Sequence, residues 1–156
     1  MAGATGRSGR RAKPTARKLL AGNPGKRALN KEEPSFTPIT GVEPPEWLSE
    51  SAATMWRMVS SELCAQEVLC ATELHNLEIF CVAYANARAA QVDVAKNGIT
   101  VTGAMGGVIK NPALTVLNEA MRQMASFGGM LGLDPSSRQR LIGGNKKQSD
   151  NPFKNL

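Results

Sequence analysis

The chain has 156 residues, 42% of them apolar and only 4% aromatic, with a formal charge of +6. That length predicts one domain with tails. No apolar run reaches the ~18–20 residues of a membrane span, and the basic N-terminus lacks the apolar core of a secretion signal, so a cytoplasmic protein without membrane contact is expected.

The charge is unevenly placed. Residues 1–31 carry nine Lys or Arg and no Asp or Glu, residues 32–137 have a net charge of −7, and residues 138–156 a net of +4. A basic arm on an acidic body gives the end at which a polyanion would dock, the alternative being a solvated tail whose charge only keeps the chain soluble. Residues 1–13 are Gly, Ser, Arg and Ala without apolar period and are predicted to be disordered when free. Pro14 to Ala21 predicts two helical turns stopped at Gly22, and Asn23-Pro24-Gly25 is a turn signal. Four prolines between residues 30 and 46 predict an extended connector. The organisation expected is therefore a basic arm and Pro-rich connector over 1–46, a helical oligomerisation body over 47–142, and a flexible tail over 143–156.

In the body, Ser49 is the expected N-cap of a first helix, with Trp47 and Leu48 packing on its first turns. Met55, Trp56, Val59 and Leu63 recur at helical spacing to about Ala65. A second helix is predicted from about Ala71 to Asn97, roughly 40 Å long, capped by Asn97-Gly98. Its apolar stripe is Leu74, Leu77, Phe80, Cys81, Tyr84, Ala87, Val92, Val94 and Ala95, with Arg88 projecting from within it. The off-stripe residues Ile79, Val82, Ala83, Ala89 and Ala90 leave the opposite face only partly polar. Arg88 reads as a snorkelling rim cation or as half of a buried ion pair.

Residues 99–102 and 108–110 are short β-like runs around the flexible tip Gly103-Ala104-Met105-Gly106-Gly107. Asn111 as N-cap and Pro112 at the first position open a third helix. Its apolar residues, Leu114 through Leu131, cover about 180° of its surface, where one packed face needs little more than ~100°. A small domain with few aromatic residues does not bury that surplus alone, so association between copies is expected, with Leu117, Met121 and Met124 at the interface. Gly132 ends this helix, and Asp134-Pro135 starts a short one through Leu141.

The three cysteines, Cys64, Cys70 and Cys81, are odd in number and clustered, which argues against a disulfide framework. Zinc with His75 is disfavoured, because His75 and Cys81 lie about 120° apart around a helix. The cysteines read as small core residues. Gly25-Lys26 has the last two letters of a phosphate loop, but Leu20 stands where its first glycine belongs and Arg27 where its Ser or Thr belongs. No Ser-His or Cys-His pair and no carboxylate cluster is supported. No catalytic residue, metal or cofactor is expected.

The ordered series Leu19-Leu20-Ala21-Gly22-Asn23-Pro24-Gly25-Lys26-Arg27-Ala28-Leu29-Asn30, then Pro44-Pro45, the Ala52…Trp56 spacing, Asn97-Gly98, Asn111-Pro112 and Leu131-Gly132-Leu133-Asp134-Pro135 through Leu141 resembles the small subunits of bacteriophage terminases, in the subgroup with a basic GNPGKR arm. Cys70 departs from the Thr or Ser usual before the long helix. The resemblance implies a mainly α, ring-forming oligomer with a helix hairpin and a short β-hairpin. It also implies a non-catalytic subunit that recognises concatemeric viral DNA in the infected bacterial cell and loads or regulates the large ATPase and nuclease subunit. The cations expected to meet DNA are Arg7, Arg10, Arg11, Lys13, Arg17, Lys18, Lys26 and Arg27. Arg138, Arg140, Lys146 and Lys147 are expected to form a second contact, to DNA or to the large subunit. The competing reading is a dimeric helix-turn-helix regulator, which needs a recognition helix after a short turn.

Overall fold

A computed structural model describes residues 15–30 and 36–138 of the chain. They fall into two units, divided between Ser35 and Phe36. The first holds α1 (Thr15–Leu20) and the turns after it. The second holds α2 (Glu50–Ala65), a 3₁₀ turn (Ala71–Glu73), α3 (Leu74–Asn97), β1 (Thr100–Thr102), β2 (Val108–Lys110), α4 (Ala113–Met130) and α5 (Pro135–Arg138). The fold is mainly helical, as expected from the sequence.

The start of α2 is set by Ser49, whose Oγ accepts from the Ala52 amide at 3.4 Å. Of the two residues before it, Leu48 is buried but Trp47 is 64% exposed, contrary to the expected packing of both. Ala52, Trp56, Val59 and Leu63 form the buried face of α2, meeting Leu77, Phe80 and Cys81 of α3 in the larger core. Trp56 is 1% exposed and donates its indole N–H to the Val42 carbonyl at 3.1 Å. That bond, the packing of Ile39 and Val42 on the same core, and the Ile39 amide bond to Leu69 O (2.9 Å) tie residues 39–42 to the body. The connector expected to run free to residue 46 is thus part of the body from Phe36 onward. A tryptophan buried this deeply needs a partner for its N–H, and the connector supplies it.

The long helix begins one turn later than expected, after the 3₁₀ turn. Cys70, in the place of a Thr or Ser cap, is relieved by Glu73, whose carboxylate accepts the Cys70 amide at 3.1 Å. The Cys70 thiol donates to Phe36 O at 3.7 Å. Gly98, at φ 85°, closes α3 as predicted, its amide bonded to Val94 O.

Burial on α3 departs from the single predicted stripe. Leu77 and Cys81 face α2, whereas Ala87 and Ala90 face α4, and Ala83, off the stripe, is also fully buried. Val92 is 68% exposed and Ala95 is also exposed, because α2 lies only against the first half of α3. Beyond it the hairpin of α3 and α4 has a second, small core of Ala87, Ala90, Leu117 and Ala120. Side chains this short let the two helices approach closely. Gly128 serves the same end near the base, where a β-carbon would stand 3.3 Å from Phe80 Cε2.

The strands pair antiparallel, with Thr100 opposite Lys110 and Thr102 opposite Val108. The joint below them is built on Asn111, 2% exposed. Its Oδ1 accepts from the Ala113 amide, and its Nδ2 donates to Asp93 Oδ1 and to Gly98 O, all at 2.9 Å. Its own amide donates to Ile99 O. Asn111 is therefore the cap it was expected to be, and also fastens α4 to the end of α3. At the other end of α4, Gly132 (φ 71°) and Leu133 donate to the carbonyls of Gly129 and Gly128, the paired bonds that close a helix through a left-handed residue.

Candidate nucleic-acid interface

The arm residues that the structure describes run from Thr15 to Asn30. α1 stops as the sequence predicts: the amides of Gly22 (φ 72°) and Asn23 return to Leu19 O and Lys18 O, both at 2.9 Å. A second turn follows at once. The Lys26 amide donates to Asn23 O at 2.8 Å, and Asn23 Nδ2 donates to Arg27 O at 2.9 Å. Asn23 and Lys26 both take φ of 45°, a left-handed conformation that asparagine tolerates and lysine adopts rarely. Asn23 thus clamps the turn from both its backbone and its side chain. Lys26 and Arg27 are exposed on it, and Lys18 is half-buried. Arg7, Arg10, Arg11, Lys13 and the side chain of Arg17 lie outside the described residues, as do Arg140, Lys146, Lys147, the predicted end of the last helix and the tail from Gly143.

α5 is opened by Asp134, whose Oδ1 accepts from the Ser136 hydroxyl (2.6 Å) and the Ser137 amide (2.8 Å). Hydrogen bonds from the Ser136 and Ser137 side chains hold its carboxyl well below the usual carboxylate range. Arg138 Nη2 turns back to Leu133 O at 3.1 Å, so its guanidinium is partly engaged with its own turn. Residues 131–134 separate α4 from α5, the short spacing a helix-turn-helix needs, but α5 is described for one turn only.

Of the three expected interface residues, Leu117 is packed within the chain against Ala87 and Ala90, and Met124 is half-buried between the two cores. Only Met121 is open, 54% exposed, with Val116 (50%) on the other flank of α4. The width of an apolar stripe does not say which part of it meets a neighbour in the same chain, and here that part includes Leu117. Arg88 is neither buried nor in an ion pair among the described contacts: it lies 5.6 Å from the centre of the Tyr84 ring, one turn earlier.

Cys64 and Cys81 are buried, and Cys70 is half-buried. Burial pushes the Cys81 thiol up to about 12 and raises those of Cys64 and Cys70. An open groove of about 300 Å³, lined by Asn86, Val116 and Gln123 among others, follows the outside of α3 and α4. A second cavity, of about 20 Å³ beside Leu69 and Leu131, has room for about one water.

Among the described residues no helix is long and apolar enough to cross a membrane. No curated protein and no solved structure gives a significant match to the chain. Residues 52–148 match the phage terminase, small subunit, family, from the buried face of α2 through α5 and beyond. With the match spanning more than half of the sequence, the chain belongs to the phage terminase small subunit family.

Proposed function

We propose that this chain is the non-catalytic, DNA-binding, oligomeric subunit of a phage DNA-packaging terminase. In this reading it engages concatemeric viral DNA through its basic arm and loads or regulates the large subunit. The observation that carries the reading is the arm: nine cations without a carboxylate in residues 1–31, of which Lys26 and Arg27 stand exposed on the turn clamped by Asn23. The family match lies outside this segment, so the subgroup with the GNPGKR arm and the arm's role rest on the residues themselves.

The mechanism is avidity. Each arm makes a salt-sensitive, mostly sequence-independent contact with phosphates. Several arms on one ring raise the effective concentration of each for the same duplex. The open apolar residues of α4, Met121 and Val116, support association between copies. The second set of cations, from Arg138 onward, serves DNA or the large subunit.

The test is the slope of log affinity against log salt for duplex DNA. Removing residues 1–27 takes away eight of the 19 basic residues and no acidic one, and the charge falls from +6 to −2. Affinity should collapse and the slope flatten, while the oligomer survives. Equal slopes for the two proteins would show that the arm does not hold DNA.

A further inference from the structure

The β-hairpin is the most exposed apolar feature of the second unit, and its chemistry is opposite to that of α2. The hairpin, residues 99–110, carries Lys110 and no carboxylate, with Asp93 at its base, whereas α2 carries Glu50 and Glu62 with one cation, Arg57. The outer face of the hairpin is set by its register: Val108 and Lys110, with their partners Thr102 and Thr100, share one side, and all four are exposed. Val108 is 77% exposed, unusual for a valine in a paired strand.

On α2, Glu50, Thr54, Met58 and Glu62 recur every four residues along the solvent side, all exposed, with Met58 at 64%. The spacings match. Two residues along a strand separate Val108 from Lys110 by about 6.8 Å. One turn of helix separates Met58 from Glu62 by about 6 Å. Each surface thus presents an apolar side chain beside a charge of opposite sign at nearly the same interval.

We infer that the hairpin of one copy seats on the outer ridge of α2 in the next copy, Val108 against Met58 and Lys110 against Glu62. The occupant is a second copy of this chain because the complementary surface exists on the chain itself. Two hairpins set face to face would instead bring Lys110 against Lys110. The contact joins different surfaces, so it propagates from copy to copy and closes when the rotation allows. It rests on the oligomeric reading above and adds the surfaces involved.

Two variants test it, both at exposed positions: Val108→Glu with Lys110→Glu on the hairpin, and Met58→Lys with Glu62→Lys on α2. Each alone should lose the large species in sedimentation while keeping its helical circular dichroism. Combined in a single chain, the four substitutions should restore assembly, because every reversed hairpin then finds a reversed ridge whatever the number of copies. A ridge variant that assembles like the wild type, or a combined variant that stays small with helix content intact, overturns the contact but not the oligomer. A wild-type chain that sediments as a monomer without DNA overturns both, and leaves the hairpin free for a different partner. Loss of DNA binding on removing the arm is read separately and does not bear on these masses.

Discussion

The Asn111 side-chain nitrogen Nδ2 lies 2.9 Å from Asp93 Oδ1, joining the residue two before α4 to the last turns of α3 across 18 residues of sequence. The same carboxylate, through its other oxygen, receives Asn97 Nδ2 at 3.0 Å. The β-hairpin is therefore held at its base by side chains, while its strands have little apolar burial of their own.

Asn111→Ala should be among the most damaging polar substitutions. It removes the helix cap and leaves the Gly98 carbonyl without its partner, at a cost of about 2–4 kcal/mol. Asp93→Asn should cost less, because Asp93 is exposed and an amide oxygen still accepts. Urea unfolding of the two variants measures the difference: no loss in Asp93→Asn would show that the cap and the Gly98 bond alone matter, and equal losses that the bond to Asp93 carries the joint.

Gly128→Ala should destabilise through overpacking rather than through helix propensity, which alone favours alanine. The new β-carbon would stand 3.3 Å from Phe80 Cε2, in a contact that leaves the ring little room. A loss of about 1 kcal/mol is expected, largely recovered in the double variant with Phe80→Leu. Non-additivity in a double-mutant cycle is the measurement.

The thiols should react in order of access. Cys70, half-buried, should be alkylated first in the native protein, and Cys81 only on unfolding. The Cys81 pKa is raised from 9.0 in the unfolded chain to about 12 in the folded one, so its contribution to stability is complete below pH 9 and is lost as the pH rises from 9 towards 12. Cys81→Ser should shrink that alkaline limb in the pH dependence of the melting temperature, leaving the part that Cys64 and Cys70, also raised, contribute.

Lys26→Glu with Arg27→Glu should weaken DNA binding and flatten its salt slope with little change in base preference. Asn23→Ala tests the turn itself: both cations remain, but the bond to Arg27 O is lost. A weakened affinity with an unchanged number of charges would show that the clamp positions Lys26 and Arg27. Unchanged affinity would make it a plain linker turn.

The helix boundaries were legible in the sequence because their signals are local. Ser49, Gly98, Asn111 and Gly132 each act on amides or carbonyls within a few residues. What the sequence concealed is which helix each apolar face meets. Ala83 and Ala90 lie off the predicted stripe, yet both are buried, Ala90 against α4. Val92 and Ala95 lie on it, yet both are exposed among the described residues. The attachment of the connector has a related cause. Four prolines mark extended chain but not what it lies against, while a buried tryptophan whose N–H needs an acceptor does. On α4 the wide apolar face divides, Leu117 belonging to its inner part and Met121 to its edge.

The buried seam of α3 and α4 beyond α2 is three alanines and one leucine, with Ala113, Leu114 and Met124 half-buried at its edges. Such a seam brings two helices close with very little oily contact to lose when they part. The outer half of the hairpin can therefore open like a pair of tongs while the tryptophan-centred half stays folded, a sub-global event of lower free energy than full unfolding. Amide exchange should show it as two protection classes divided near Asn86, with Asp93 and Asn111 acting as the catch. An assembly that covers the outer half would then tighten the chain at the place where it is loosest alone.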